Sequence, residues 1–138
     1  MKIQNHRYGW LAGIIDGEGT ITITRQFRVL SYSYRPEIHV TNTNMEMLFE
    51  VVSIIEAIIG KKPKIFLSDS RNEKKVYRVR IQDRKSCLKL AKILSNILVA
   101  KKRQALLLIE FLQGESINSE TQAARIRQIN ASSSSQAP

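Results

Sequence analysis

The spacing of hydrophobic residues along the chain predicts four strands, arranged as two hairpins, and four helices. Apolar and polar side chains alternate with period two over residues 20–28, 32–41, 65–67 and 76–81, with a turn around 69–75. Helical periodicity covers residues 7–17, 44–59, 86–98 and 101–112, and Asn44 and Gly60 suit the two ends of the second helix. The predicted element order is therefore αββαββαα.

This order predicts an α+β fold in which helices pack on one face of an antiparallel sheet. The opposite face would carry polar and cationic side chains, namely Thr20, Thr22, Thr24, Gln26, His39, Arg78 and Arg80. Such a face suits the major groove of DNA, where base edges present hydrogen-bond donors and acceptors. A merely solvated sheet face is the alternative, because threonine and arginine are common on exposed strands.

Composition restricts the class of protein further. A chain of 138 residues with 43% hydrophobic residues is expected to form one globular domain. One cysteine and two histidines exclude a disulfide framework and a Cys/His zinc site. Without an apolar signal-peptide segment at the N-terminus, the expected location is intracellular.

The charge is concentrated in one part of the chain. Residues 61–103 hold 15 of the 22 basic residues and 3 of the 12 acidic ones, and the whole chain carries a net charge of +10. This bias predicts a basic face and a polyanionic partner, with nucleic acid ahead of an anionic membrane. No basic amphipathic helix with exposed aromatic residues is found, so a membrane partner is not expected.

The first helix combines bulky apolar residues with glycines. On a helical wheel, one side carries Trp10, Leu11, Ile14 and Ile15, and the other carries Gly9, Ala12, Gly13, Asp16 and Gly17. Each interior glycine costs about 1 kcal/mol relative to alanine, and close approach of another backbone would offset this cost. Because the chain has one such stripe, we expect the same helix of a second copy to be the partner, across a two-fold axis.

Glu18 ends this helix, where the helix macrodipole disfavours an anion. A two-fold axis would bring two copies of Glu18 together, and their repulsion increases the need for a cation. A hard, oxygen-liganded ion such as Mg²⁺ fits this requirement.

The nonapeptide at residues 11–19, LAGIIDGEG, resembles the signature of the LAGLIDADG homing endonucleases. The segments VTNTN at 40–44 and AKKRQAL at 100–106 also resemble this family, so the likeness covers about residues 7–113. It implies the αββαββα fold with a saddle-shaped sheet, here over residues 1–115. The polar composition of residues 116–138 predicts a C-terminal tail outside the core.

The resemblance implies a homodimeric, intron-encoded DNA endonuclease. Such enzymes cut both strands of a long pseudo-palindromic site and leave short 3′ overhangs. Glu18 matches the acid that binds the metal, together with the Gly17 carbonyl, whereas Asp16 matches the acid that supports the interface between motif helices. The implied cofactor is Mg²⁺, with Mn²⁺ or Ca²⁺ able to occupy the site. The family often has aspartate where this chain has Glu18.

Two further positions match catalytic residues of the family. Asn42 matches a polar residue that orders water in the active site, and Lys101 matches the cation near the scissile phosphate. Lys102 or Arg103 takes the role of Lys101 if the alignment shifts by one or two residues. The metal ions would activate water and stabilise the attacking and leaving oxygens, and Lys101 would stabilise charge on the phosphorane.

The expected DNA contacts lie on the polar sheet face. They are Thr22, Thr24, Gln26, Arg28, Arg35, Glu37, His39, Ser68, Arg78 and Arg80. Lysines at 61, 62, 64, 74 and 75 are expected to touch phosphates. Two alternative functions remain open at this point: an RNA maturase that assists intron folding, and a non-catalytic DNA-binding regulator on the same scaffold.

Overall fold

The computed structural model describes residues 5–69, 74–114 and 119–135. Within these ranges the elements are α1 (Asn5–Glu18), β1 (Gly19–Arg28), β2 (Ser31–Asn42), α2 (Met45–Ile59), β3 (Ile65–Asp69), β4 (Val76–Ile81), α3 (Arg84–Leu94), α4 (Lys102–Gln113) and α5 (Ser119–Ser135). None of the helices in these ranges is both long enough and apolar enough to cross a lipid bilayer.

The four strands form one antiparallel sheet in the order β1-β2-β4-β3. Ile38 of β2 lies between Ile21 of β1 and Ile81 of β4, and all three side chains are buried. The helices cover this apolar face, because successive residues of a strand point to opposite sides of the sheet. The predicted α+β fold class is confirmed.

Helix α2 begins and ends where its sequence predicts. The Asn44 side chain accepts a hydrogen bond from the Met47 amide at 3.1 Å, which satisfies one of the free amides of the first turn. Gly60 has φ of 83°, a left-handed conformation that terminates the helix without a steric penalty from Cβ.

Helix α1 is rotated relative to the predicted wheel. Its buried residues are Leu11, Ala12 and Ile15, whereas Trp10 is 37% exposed. Ala12 therefore faces the core of the protomer, where its small side chain allows α1 to lie close to β2 and α2. Gly9 and Gly13 remain exposed.

The third helix ends earlier than its hydrophobic pattern predicts. Helix α3 stops at Leu94, although Leu98 in the following connection is still buried. Hydrophobic periodicity marks burial, and here burial continues after the helix has ended. The predicted turn around 69–75 lies partly in residues 70–73, outside the described residues.

The segment after Glu115 differs most from its prediction. Helix α5 packs against β1 and α4, and it buries Gln122, Ala123 and Ile126. The apolar positions are sparse and separated by polar residues, so composition alone suggested a tail. Asn130 also donates a hydrogen bond to the Ile21 carbonyl at 3.1 Å, which ties the helix to the edge of the sheet.

We expect the substitution Ile126→Ala to lower the free energy of unfolding by about 2–5 kcal/mol, because it leaves a cavity at a fully buried position. Urea unfolding followed by circular dichroism measures this change. Arg125→Ala, at an exposed position of the same helix, is the control and should change stability little. Equal stability of the two variants would show that α5 contributes nothing to the core.

Candidate active site and DNA-binding face

An open cleft of about 600 Å³ lies where α1 meets β1. Its walls come from three parts of the chain, the α1–β1 junction, the connection before α4, and α5. The lining residues are Asp16, Gly17, Glu18, Gly19, Thr20, Ala100, Lys101, Asn130 and Ala131. The cleft therefore gathers the motif acids and one basic residue that are far apart in sequence.

Glu18 is oriented by the start of helix α2. Asn42, the last residue of β2, donates from Nδ2 to Glu18 Oε2. The other side of its amide, Oδ1, accepts a hydrogen bond from the Asn44 amide at 2.8 Å. Since Asn44 caps α2, the helix start fixes the direction of the Asn42 amide and, through it, one oxygen of Glu18.

Asp16 fixes the position of the α3–α4 connection. Its Oδ2 accepts a hydrogen bond from the Val99 amide and its Oδ1 accepts one from the Lys101 amide, each at 2.9 Å. The Lys101 Nζ donates to the Asp16 carbonyl oxygen at 2.6 Å. Asp16 thus holds both the backbone and the ammonium group of Lys101 beside the end of the motif helix.

Lys101 is the member of the 101–103 cluster that lines the cleft. Its pKa is lowered by desolvation, against the opposing effect of the Asp16 carboxylate. Lys102 and Arg103 are exposed in the first turn of α4. The structure therefore places Lys101, rather than its two neighbours, beside Glu18 and Asp16.

The oxygen donors of the cleft suit a hard divalent cation, but one protomer supplies few of them. Glu18 offers its carboxylate and Gly17 its carbonyl group, which are ligands that Mg²⁺ and Ca²⁺ accept. Within the described part of the chain, no three His, Cys, Asp or Glu side chains are grouped closely enough to hold a metal. A carboxylate from a second copy would complete such a donor set.

The polar face of the sheet collects most of the predicted DNA contacts. In the β1–β2 register, Thr22 lies opposite Glu37, Thr24 opposite Arg35, and Thr20 opposite His39. His39 in turn lies opposite Arg80, and Arg78 lies opposite Thr41. Gln26 and Arg28 follow on the same side of β1, towards the hairpin end. Ser68 is exposed at an irregularity in the β3–β4 pairing.

Several side chains on this face are engaged with one another. Arg78 Nε donates to Thr41 Oγ1 at 3.1 Å, and the Arg80 guanidinium lies 4.6 Å from the centre of the Phe66 ring. Glu37 differs from the others because it is 7% exposed and both of its carboxylate oxygens are hydrogen-bonded.

Three residues at these sites, Gln82, Phe66 and Asn130, were not predicted from the sequence. Gln82 continues the alternation of Arg78 and Arg80 and so falls on the polar face, which the period-two pattern could have indicated. Phe66 lies on the polar side of β3, and no sequence pattern indicates its contact with Arg80. Asn130 lines the cleft from a helix whose composition had suggested a tail.

The glycines of α1 are not explained by contacts within the protomer. A Cβ added at Gly9, Gly13 or Gly17 would meet no atom of the described residues within 4 Å. All three positions are exposed, next to the 37% exposed Trp10. Of the residues expected at a dimer interface, Ala12 is instead buried in the core, and Asp16 is bonded to the α3–α4 connection.

Comparison with solved structures shows the same fold in homing endonucleases. The homing endonuclease I-CvuI, in complex with its target in the presence of 2 mM Ca, aligns with a TM-score of 0.72 at 18% identity, over 91% of this chain and 85% of that chain. The archaeal intron-encoded I-Vdi141I, complexed with DNA, aligns with a TM-score of 0.63 at 21% identity, over 97% and 86%.

A longer relative shows the same likeness. The group I intron-encoded I-CeuI, complexed with DNA, aligns with a TM-score of 0.68 at 16% identity, over 88% of this chain and 60% of that chain.

Sequence comparison identifies the family directly. No curated protein matches the chain significantly. The model of a family described as a LAGLIDADG-like domain matches residues 5–95, a range that includes the nonapeptide and the whole four-stranded sheet. The resemblance drawn from the nonapeptide is thereby confirmed, and the chain belongs to the family of LAGLIDADG-like domains.

Proposed function

We propose that the protein is a homodimeric, site-specific DNA endonuclease of the homing type, encoded within an intron. It would make a double-strand break with short 3′ overhangs at a long pseudo-palindromic site. The observation that carries this proposal is the cleft lined by Glu18 and Lys101, in which Glu18 is held by a hydrogen bond from Asn42. An acid, an amide and a cation at one end of a basic sheet face suit hydrolysis of a phosphodiester.

Each residue has a role that follows from its position. Glu18 and the Gly17 carbonyl would hold the divalent metal ion, Mg²⁺ or, as substitutes, Mn²⁺ or Ca²⁺. When bound, this ion supplies Lewis-acid stabilisation of phosphate oxygens and a more acidic water. Asn42 orients Glu18, and its amide can also order the attacking water. Lys101 presents a positive charge where negative charge develops on the phosphate.

The exposed glycines support the proposed homodimer. They lower the helix propensity of α1, and no contact with the described part of the chain requires them. A second copy of α1 lying against Gly9, Gly13 and Gly17 would account for them. The same two-fold contact would bring the second Glu18 to the axis and complete the carboxylate donors.

The polar sheet face supports double-stranded DNA as the substrate. Thr22, Thr24, Gln26 and Arg35 present donors and acceptors of the kind that contact base edges in the major groove. The similar structures of I-CvuI and I-Vdi141I hold DNA, which is consistent with this assignment.

We expect Glu18→Gln to abolish cleavage while leaving DNA binding intact, because the amide cannot replace an anionic metal ligand. Removing a residue that only hydrogen-bonds to a metal ligand typically costs on the order of 10–100-fold in metal affinity or activity. Glu18→Gln changes the ligand itself, so the loss of cleavage should be larger. Cleavage of a randomised DNA library in Mg²⁺, followed by sequencing of cut and bound fragments, measures both properties.

Glu46→Gln, an exposed acid in the first turn of α2, is the control for the lost charge and should cut normally. If the unaltered protein binds DNA tightly but cuts none with any divalent ion, the nuclease proposal fails. That outcome would favour a regulator, or a maturase if intron RNA is bound instead.

Substitutions at Gly13 test the proposed dimer. We expect Gly13→Ala to weaken self-association and Gly13→Leu to weaken it further, because each added carbon separates the two helices. Sedimentation equilibrium measures the dissociation constant. Ala57→Leu, at an exposed position of α2, is the matched control. If the protein is monomeric, Gly13→Ala instead stabilises it by about 1 kcal/mol, since alanine is the better helix former and meets no neighbour.

The pH dependence of cleavage tests the role of Lys101. Burial places its pKa below the ordinary value of 10.5, so its charge is lost earlier as the pH rises. As the pH is raised, we therefore expect the cleavage rate to begin to fall at a pH below 10.5. Lys101→Arg should retain activity to higher pH because arginine stays protonated. Lys101→Met should lower the rate about 10²–10³-fold at neutral pH. If the cleavage rates of the unaltered protein and of Lys101→Arg fall at the same alkaline pH, Lys101 is not the titrating group.

A further inference from the structure

A buried anion lies in the middle of the cationic sheet face. Glu37 of β2 is 7% exposed, although it occupies the polar side of the sheet with Arg35, Arg78 and Arg80. Burying a carboxylate is costly unless its oxygens are hydrogen-bonded. The contacts of Glu37 therefore indicate what this anion does.

Each oxygen of Glu37 has a partner on the same face. Oε2 lies 2.7 Å from His39 Nδ1, and Oε1 accepts a hydrogen bond from Gln82 Nε2 at 2.8 Å. The hydrogen bond from His39 is the main reason that the pKa of Glu37 is held below its usual 4.5, against the opposing effect of burial. An ionised carboxylate can only accept hydrogen bonds, so the proton between the two groups belongs to His39 Nδ1.

This contact leaves the other ring nitrogen of His39 without a partner. In the described part of the chain no hydrogen bond to Nε2 is found, and the His39 side chain is 13% exposed. The side chains around His39 on this face come from its own strand and from the strands paired with it. They are Thr20, Thr22, Glu37, Thr41, Arg78, Arg80 and Gln82. Arg78 and Arg80 are cationic, and the threonines and Gln82 are uncharged. Arg78 is bonded to Thr41 and Arg80 is stacked on Phe66, so neither occupies Nε2.

From this geometry we infer that Glu37 is a positioning residue, which fixes the tautomer of His39 so that Nε2 accepts a hydrogen bond from one base edge. The inference rests on the proposed DNA-binding function. With Nδ1 protonated, a neutral ring presents Nε2 as an acceptor, which suits the amino group of adenine N6 or cytosine N4. The opposite tautomer would present an Nε2–H donor, which suits acceptors such as guanine N7 or O6, thymine O4 or adenine N7.

The tautomer can be measured in the free protein. The chain contains two histidines, His6 and His39, so the imidazole nitrogen resonances in ¹⁵N-labelled protein can be assigned with the variant His6→Gln. We expect neutral His39 to carry its proton on Nδ1, the form that free histidine populates less. The variant Glu37→Gln should shift His39 towards the Nε2–H form. Observation of Nε2–H in the unaltered protein would overturn the inference.

Base preference is measured by selecting bound DNA from a randomised library. One position in each half-site should favour adenine or cytosine, which present an amino group in the major groove, over guanine or thymine by about fivefold for a single hydrogen bond. The same preference is expected for His6→Gln, and it should be absent in His39→Leu. Glu37→Gln should lose the preference for an amino group, while circular dichroism shows it to be folded.

Two failures can be told apart. If sequences are enriched but every position keeps the same preferred base in Glu37→Gln and in the unaltered protein, the inference about His39 is wrong and the DNA-binding function stands. If no sequence is enriched by any variant, the proposed function fails, and the role of His39 in base recognition fails with it.

Discussion

The hydrogen bonds made by the Asp16 carboxylate are the constraint on which the candidate active site depends. They hold the Val99 and Lys101 amides against the end of α1, although these residues are more than 80 positions apart in sequence. Together with the burial of Leu98, these hydrogen bonds hold the connection after α3 beside the motif helix. Because Lys101 also donates to the Asp16 carbonyl, one residue determines both the backbone path and the direction of the ammonium group. Asp16, two residues before Glu18, therefore organises the cleft, and in the proposed function Glu18 is the acid that binds the metal.

The polar sheet face depends on a second constraint, the alternation of side chains along paired strands. The β1–β2 and β2–β4 registers place threonines, arginines and His39 on one side and the isoleucine core on the other. A slip of one residue in either register would exchange these faces. A face so rich in cations can hold an anion below its surface, and Glu37 occupies that place. Its hydrogen bonds to His39 and Gln82 link two strands through side chains, so this part of the face is preorganised before any DNA binds.

Sequence patterns predicted the fold because the elements follow strong local rules. Asn44 and Gly60 limit α2 through capping and left-handed geometry, and period-two alternation placed β4 at Val76–Ile81 as observed. The patterns could not predict α5, because its two fully buried residues, Ala123 and Ile126, are too few to stand out from polar neighbours. The family resemblance pointed to Glu18, Gly17 and Lys101, which line one cleft in the structure. The partners of Asp16 and Glu37 were not predicted, because hydrogen bonds between distant segments leave no local periodicity.

The position of Glu18, directly after the last of the three exposed glycines, links association to chemistry. A protomer alone leaves the glycines uncovered and groups too few acidic side chains for a metal in its described residues. Both deficiencies occur on α1, with the glycines along the helix and Glu18 at its C-terminal end, so a two-fold contact along the glycines would remedy them together. In the proposed dimer a substitution that separates the helices would also move the two Glu18 carboxylates apart. Activity would then depend on protein concentration more steeply than DNA binding by the sheet does, since each sheet is complete within one protomer.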